Sequence, residues 1–180
     1  MLETERLRLR EWERGDRGPF AQINADLRVM EFFPKCLNRE ESDAMVDRIE
    51  SHFRAKGFGL YAAELRDNPR LIGYVGLHTP TFEAHFTPCV EIGWRLASDV
   101  WGKGLATEGA LAVVQHAFEN LGLDEIVSFT VPANRRSIRV MEKIGMTRDA
   151  GDDFEHPNLP VGHPLRHHVL YRLRRPMKTH

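Results

Sequence analysis

Between residues 90 and 122 the chain sets VEIGWRL (90–96), rich in β-branched and aromatic residues, ahead of a glycine loop, SDVWGKGLATEG, and an apolar-periodic segment that stops at Gly122. A strand, a glycine loop and a helix in that order constrain the fold to an α/β class. The loop leaves backbone N–H groups unpaired at the positive end of a helix dipole, where an anion such as a phosphate binds. Two nucleotide patterns fail on this loop. The dinucleotide pattern G-x-G-x-x-G has Thr107 where its third glycine belongs. The P-loop pattern has Ala97 in place of its first glycine, and Gly104 follows Lys103 where Ser or Thr is required.

The flanking sequence supplies the other layers. Residues 5–12 alternate, with Leu7 and Leu9 on one face and Arg6, Arg8 and Arg10 on the other, the period of a half-buried strand. Asp16 is placed to cap a helix carrying Phe20, Ile23 and Leu27 and ended by Pro34. Ser42 reads as a second N-cap, before Met45, Val46, Ile49 and Phe53, with Gly57 at the C-terminus. LYAAEL (60–65) and LIGYVGLH (71–78) flank a turn-rich RDNPR, which predicts an antiparallel hairpin. Leu111, Val114, Phe118 and Leu121 mark the face of the helix after the glycine loop. IVSFTV (126–131), a short helix over 134–144 ended by Gly145, and a final strand HHVLYRL (167–173) complete the order.

Length and charge limit what such a chain does. At 180 residues it falls within the range of one domain, about 100 to 200 residues, and 1–180 is expected to be a single domain. The longest apolar run, Leu71 to Leu77, is far short of the roughly 18 residues of a membrane span, so no membrane partner is expected. With 25 Lys+Arg against 26 Asp+Glu, the net charge of -1 offers no electrostatic footprint for nucleic acid. The start MLETERLRLR has no apolar h-region, and Cys36 and Cys89 form no C-x-x-C motif, which together suggest a cytoplasmic protein. Of nine histidines, His156, His163, His167, His168 and His180 crowd the C-terminal quarter without a completing Cys or carboxylate, so no metal is expected. The basic cluster Arg172, Arg174, Arg175 and Lys178 reads as a solvated end.

Two blocks carry a family resemblance. Trp101-Gly102-Lys103-Gly104-Leu105-Ala106 resembles Q/R-x-x-G-x-G/A, the acetyl-CoA pyrophosphate loop of the GNAT N-acetyltransferase superfamily, with Trp in place of the first polar residue. NRRSIRVMEKIGM (134–146) is similar to the family's N-x-x-S/A-x-x-L-Y/L-E-K-x-G-F segment. EIGWRL and ETERLRLREW further resemble the branch containing ribosomal-protein-alanine N-acetyltransferases. The resemblance implies the GNAT acyl-CoA N-acyltransferase fold: a mixed, mostly antiparallel sheet with splayed central strands, flanked by helices. It implies acetyl-CoA as cosubstrate and an amine acceptor, and leaves a homodimer open. Gly102 to Thr107, with Trp101, would surround the pyrophosphate. Trp94 and Leu96 would pair with the pantetheine arm through their backbone, as an added strand does, and Asn134 would touch that arm.

Acetyl transfer to an amine needs a deprotonated amine, a thioester held close, a stabilised oxyanion and a proton for the thiolate. Glu91 is the candidate base, as the carboxylate of an otherwise apolar strand, with a water chain as the alternative. The family's usual acid, a tyrosine, is replaced here by Met141, and Ser137, one helical turn earlier, is the nearest hydroxyl. Neither cysteine lies in a nucleophile context, which favours direct transfer. The loops PTFEAHFTP and HPNLPVGHPL, with Trp12, Phe32, Phe33 and Phe82, are candidates for the acceptor pocket, and only Glu83 in those two loops is acidic. That composition disfavours polyamines and aminoglycosides and favours a single amine on a peptide or amino-acid-like body, unless acids such as Glu31 or Asp153 reach the pocket. The missing tyrosine keeps a non-catalytic acyl-CoA-binding sensor as the rival, and a nucleotide-binding protein is the second rival.

Overall fold

Leu7 and Leu9 are fully buried in the computed structural model, which describes residues 1–176, and the alternating Arg8 and Arg10 reach Glu64 on the neighbouring strand. This alternation recurs along a sheet with strands β1 (Leu2–Glu3), β2 (Leu7–Arg10), β3 (Leu60–Leu65), β4 (Leu71–His78), β5 (Glu91–Leu96), β6 (Glu125–Thr130), β7 (Thr147–Arg148), β8 (Phe154–Glu155) and β9 (His167–Arg174). The helices are α1 (Arg17–Ala25), α2 (Arg39–Lys56), α3 (Leu105–Glu119) and α4 (Arg135–Lys143). The strand order is β1-β2-β3-β4-β5-β6-β9-β7, and β8 pairs with β9. All pairings are antiparallel except β5 with β6, which α3 connects as the crossover that a parallel pair requires. No helix among the described residues is long and apolar enough to cross a membrane.

Each face of the sheet has its own core. Leu7, Leu9, Ile72, Val75, Leu77, Ile92 and Leu96 pack beneath α3 and α4. On the other face Phe20 of α1 and Val46 and Ile49 of α2 pack onto Leu60, Ala62 and Tyr74. The hairpin and the central strands lie where the apolar pattern predicts them. Several boundaries differ. The expected first strand over 5–12 is shortened to β2, and a separate β1 precedes it through a turn in which Thr4 N–H donates to Leu7 O. Asp16 does precede α1, but its carboxylate makes no cap bond; Arg10 takes both oxygens at 2.7 and 2.9 Å. Helix α1 ends at Ala25, so Leu27 is exposed rather than buried.

Asn38, not Ser42, caps α2. Its side chain accepts from Glu41 N–H, while the Glu41 carboxylate accepts from Asn38 N–H, a reciprocal box that Ser42 cannot make from inside the helix. Ser42 is fully buried and accepts instead from Asn24 Nδ2. The C-terminal arginines are a solvated end only in part: Arg174 is largely exposed, whereas Arg172 is enclosed. Arg172 pairs with Asp152 and Glu125, and Arg174 pairs with Glu125, because β9 lies against β6 where Glu125 begins it. Lys178 and His180 lie outside the described residues.

On α3 the buried face is Leu105, Gly109, Ala110, Val113 and Ala117, whereas Leu111 is 48% exposed. Small residues win that face because α3 sits close over the sheet. A Cβ at Gly109 would stand 3.2 Å from Val75 Cγ2 and 3.3 Å from Leu7 Cδ1. Gly109→Leu should therefore overpack this contact and cost about 1–3 kcal/mol, read as a lower urea midpoint with unchanged slope. An unaltered midpoint would show that α3 is free to lift away.

Candidate active site

The strands β5 and β6 meet at one register pair, Glu91 opposite Val127, where Val127 N–H donates to Val90 O at 2.9 Å. Beyond it they diverge. At the other side of β5, Ala97 N–H donates to Ile72 O of β4. Backbone groups alternate along a strand, so Trp94 and Leu96 turn theirs towards the gap. The Leu96 carbonyl is taken by the Trp101 indole at 2.9 Å, which leaves the Leu96 N–H and both Trp94 groups facing the opening. Trp94 Nε1 donates to Ser137 Oγ at 3.3 Å, so a side chain of β5 reaches α4 across the gap.

The glycine loop closes the same end. Gly102 and Gly104 hold φ of 76° and 78°, a left-handed backbone that glycine adopts without strain. Gly104 caps α3 with no side-chain cap bond, and among the described residues the N–H groups of 102–107 have no acceptor. Six donors at one helix start suit a pyrophosphate. Arg6 donates to Lys103 O, and Glu108, held by Thr4 and by Arg6, fixes the first turn of α3 to β2. Trp101, the residue that departs from the family pattern, anchors the loop to β5 and stacks under Arg136 at 4.3 Å from its ring centre. The gap, its free amide groups and this unpaired cradle fit acetyl-CoA.

The opening continues into a cavity of about 1080 Å³. Glu91, Trp94, Leu96, Trp101, Gly102, Gly104 to Thr107, Asn134 and Ser137 all line it, while Lys103 does not. Asn134 is committed locally, accepting from Ser137 N–H and donating to Thr130 Oγ1 at 3.0 Å, so its side chain serves as the α4 cap. Met141 is buried at the tyrosine position and offers no proton. Phe82 and the loop residues His156, Asn158 and Leu159 form the far end with Phe129 and His168; Phe32 and Phe33 contribute near α1, and Trp12 is core instead. Cys36 and Cys89 are not among the lining residues, and burial raises the Cys89 thiol to about 11. Glu31 pairs with Arg136 and Asp153 with Arg148, which leaves Glu91 as the one carboxylate lining the cavity among the described residues.

Glu91 has a partner that the sequence reading missed. His78, its register partner on β4, places Nε2 at 3.2 Å from Glu91 Oε2, with His78 Nδ1 buried and unbonded. Burial raises Glu91 well above the usual carboxylate range. Burial, with His52 nearby, lowers His78 to about 4. Burial thus disfavours the charged form of both groups where they face each other across the β4–β5 ladder. His52 is fixed in one tautomer, because its Nε2 accepts from Thr79 N–H and its Nδ1 then donates to Phe58 O at 2.9 Å. The signal for His78 was present as the one polar end of an apolar strand opposite EIGWRL.

Comparison with known proteins agrees with this geometry. The model of the acetyltransferase (GNAT) domain matches residues 6–147, so the chain belongs to the GNAT acetyltransferase family. It is an acetyl-CoA-dependent N-acetyltransferase. It is 31% identical over 149 residues to an uncharacterized N-acetyltransferase, YnaD, of Bacillus subtilis, covering 82% of this chain and 83% of that one. A crystal structure of an acetyltransferase from Agrobacterium tumefaciens aligns with a TM-score of 0.78 at 30% identity, covering 97% of this chain and 94% of that one. A spermidine N-acetyltransferase from Vibrio cholerae, solved with CoA and spermine, shares the fold with a TM-score of 0.73 at 19% identity, covering 95% of this chain and 96% of that one.

Two measurements test the site. Gly104→Glu adds a side chain and a negative charge at a left-handed position beside the cradle, and CoA affinity by calorimetry should fall by about 100-fold or more in a folded variant. Unchanged affinity would remove the loop from CoA binding. The second concerns Glu91. A carboxyl with a raised folded-state value contributes stability that is complete below about 4.3, its unfolded value, and is lost as pH rises through the folded value. Glu91→Gln cannot ionise, so its stability relative to wild type should rise as the pH climbs above the unfolded value and through the raised folded value, read by urea unfolding. Parallel stability curves would mean that Glu91 ionises freely.

Proposed function

We propose that this chain transfers acetyl directly from acetyl-CoA to the primary amine of a peptide N-terminus or an amino-acid-like small molecule. The observation that carries the reading is the position of Glu91. It is a desolvated carboxyl at the one β5 residue registered against β6, where the two strands begin to part and the gap that runs along β5 to the glycine loop opens. Acetyl-CoA supplies the acetyl group as a thioester. In this reading Gly102 to Thr107 hold its pyrophosphate, with Lys103 contributing backbone rather than side chain, and Trp94 and Leu96 pair with its amides.

Glu91 takes the proton that the acceptor ammonium must lose before its nitrogen attacks. A carboxyl raised by burial is better matched to an amine than an ordinary one. His78, with Nε2 at 3.2 Å from Glu91 Oε2, positions the Glu91 carboxyl. Ser137, whose oxygen accepts from Trp94, keeps its own O–H free to donate to the departing sulfur. The two cysteines, neither of which lines the cavity, support direct transfer rather than an acetyl-cysteine route. Resemblance to the ribosomal-protein-alanine branch supports a peptide amine. The lack of cavity carboxylates beyond Glu91 argues against polycations, which favour acidic pockets. Met141 in the tyrosine position is the observation favouring a non-catalytic acyl-CoA sensor.

Incubation with acetyl-CoA and a library of peptides and amine metabolites, read by mass spectrometry, should give an acetylated product. Binding of acetyl-CoA without turnover on any amine would establish the sensor. Once an acceptor is in hand, kcat of the wild type should rise with pH as Glu91 loses its proton, and Glu91→Gln should lose that limb with kcat about 100-fold lower. Retention of the wild-type limb and rate would move the base to a water chain.

A further inference from the structure

Glu91, Gly93 and Arg95 share one face of β5, and all three line the cavity. Arg95 is the unusual member. It is 7% exposed, and its Nη1 donates to Asn24 Oδ1 at 2.7 Å and to Met45 Sδ at 3.6 Å. Its Nε is buried with no acceptor, and it pairs with no carboxylate among the described residues. Other enclosed arginines are neutralised: Arg10 holds Asp16 and Glu64, and Arg172 holds Asp152 and Glu125. An arginine is a permanent cation, and a buried cation without a counter-charge is strongly unfavourable.

The surroundings fix the guanidinium. Its carbon lies 4.2 Å from the centre of the Phe33 ring and 5.5 Å from that of Tyr74, and the Asn24 amide that receives Nη1 is itself anchored on Ser42. This is a held, pre-organised donor with its remaining edge unspent. Gly93, between the two charged positions, puts no side chain on the floor, and a Cβ there would meet nothing within 4 Å. At a strand rise of roughly 3.3 Å per residue, the Cα atoms of Glu91 and Arg95 lie about 13 Å apart. With a hydrogen bond at each end, a span of that order takes an amine and a carboxylate on a short peptide.

We infer that Arg95 is the anchor for a carboxylate on the acceptor, so that the substrate class is an amine carrying its own carboxylate, an amino acid or a short peptide with a free C-terminus. This rests on the acetyltransferase reading above and narrows it: an internal or protein-borne amine lacking a nearby carboxylate would leave Arg95 unneutralised. The guanidinium fork matches a carboxylate in two parallel hydrogen bonds. The amine end then lies towards Glu91, and a second cation on the acceptor would have to sit against Arg95.

The test compares amino acids and alanyl dipeptides with their C-terminal carboxamides, together with spermidine, as acceptors for the wild-type enzyme with acetyl-CoA. The free acids should show kcat/KM at least about tenfold above the amides, carried mainly by KM. Arg95→Met keeps an unbranched apolar stem and should bring acid and amide within about threefold of each other, while Arg95→Lys, which keeps the charge, should retain part of the preference. If Arg95→Met does not fold, the wild-type comparison alone decides. Amides or spermidine used as well as the acids would overturn the carboxylate anchor and leave acetyl transfer standing. Absence of acetylation on every amine would bring down the enzymatic reading and this inference with it.

Discussion

The pairing of β5 with β6 at the single register pair Glu91–Val127, and the divergence beyond it, sets what the rest of the molecule must do. Parallel strands joined by α3 start side by side, and the opening exposes the backbone of Trp94 and Leu96. Backbone polar groups left without partners in an enclosed place are costly. Part of that demand is met internally, by the Trp101 indole on the Leu96 carbonyl. The remainder suits an amide-bearing arm laid along the strand. The glycine loop stands at the same end because β5 feeds directly into it, so one topological feature places both the arm and its phosphate cradle.

Desolvation organises the other half of the cavity. Burial raises the carboxyl of Glu91 beside His78, whereas the guanidinium of Arg95 is enclosed without a carboxylate partner among the described residues. These groups sit on one face of one strand, separated by a glycine, with α1 and α2 covering them through Asn24, Phe33 and Met45. A proton acceptor at one end and an anion receptor at the other give the cavity a direction. The aromatic far end, where burial lowers His168 to about 4, adds no charge.

Much of this was legible in the sequence because backbone patterns are local. The alternation of LRLR, the turn between LYAAEL and LIGYVGLH, and the glycine loop with its Gly57 and Gly145 counterparts each encode geometry within a few residues. The failures were decided by distant partners. Ser42 looked like a cap and became a buried acceptor for Asn24, since the box between Asn38 and Glu41 satisfies the helix start better. The α3 face followed Gly109 and Ala110 rather than Leu111, because closeness to Val75 and Leu7 selects small side chains. His78 and Arg95 acquire meaning only when β4 registers against β5 and α1 folds over it. The candidate residues around the loop needed no such information and line one cavity, save Lys103, which does not line it.

The most direct measurement of the central claim, that the β5–β6 opening and the loop at its end hold the cofactor, is a crystal structure of the protein with CoA bound. The pantetheine amides should then pair with the Trp94 and Leu96 backbone, the pyrophosphate should accept from N–H groups within 102–107, and the sulfur should lie between Glu91 and Ser137. CoA bound elsewhere, or in the cavity without backbone pairing to β5, would contradict it.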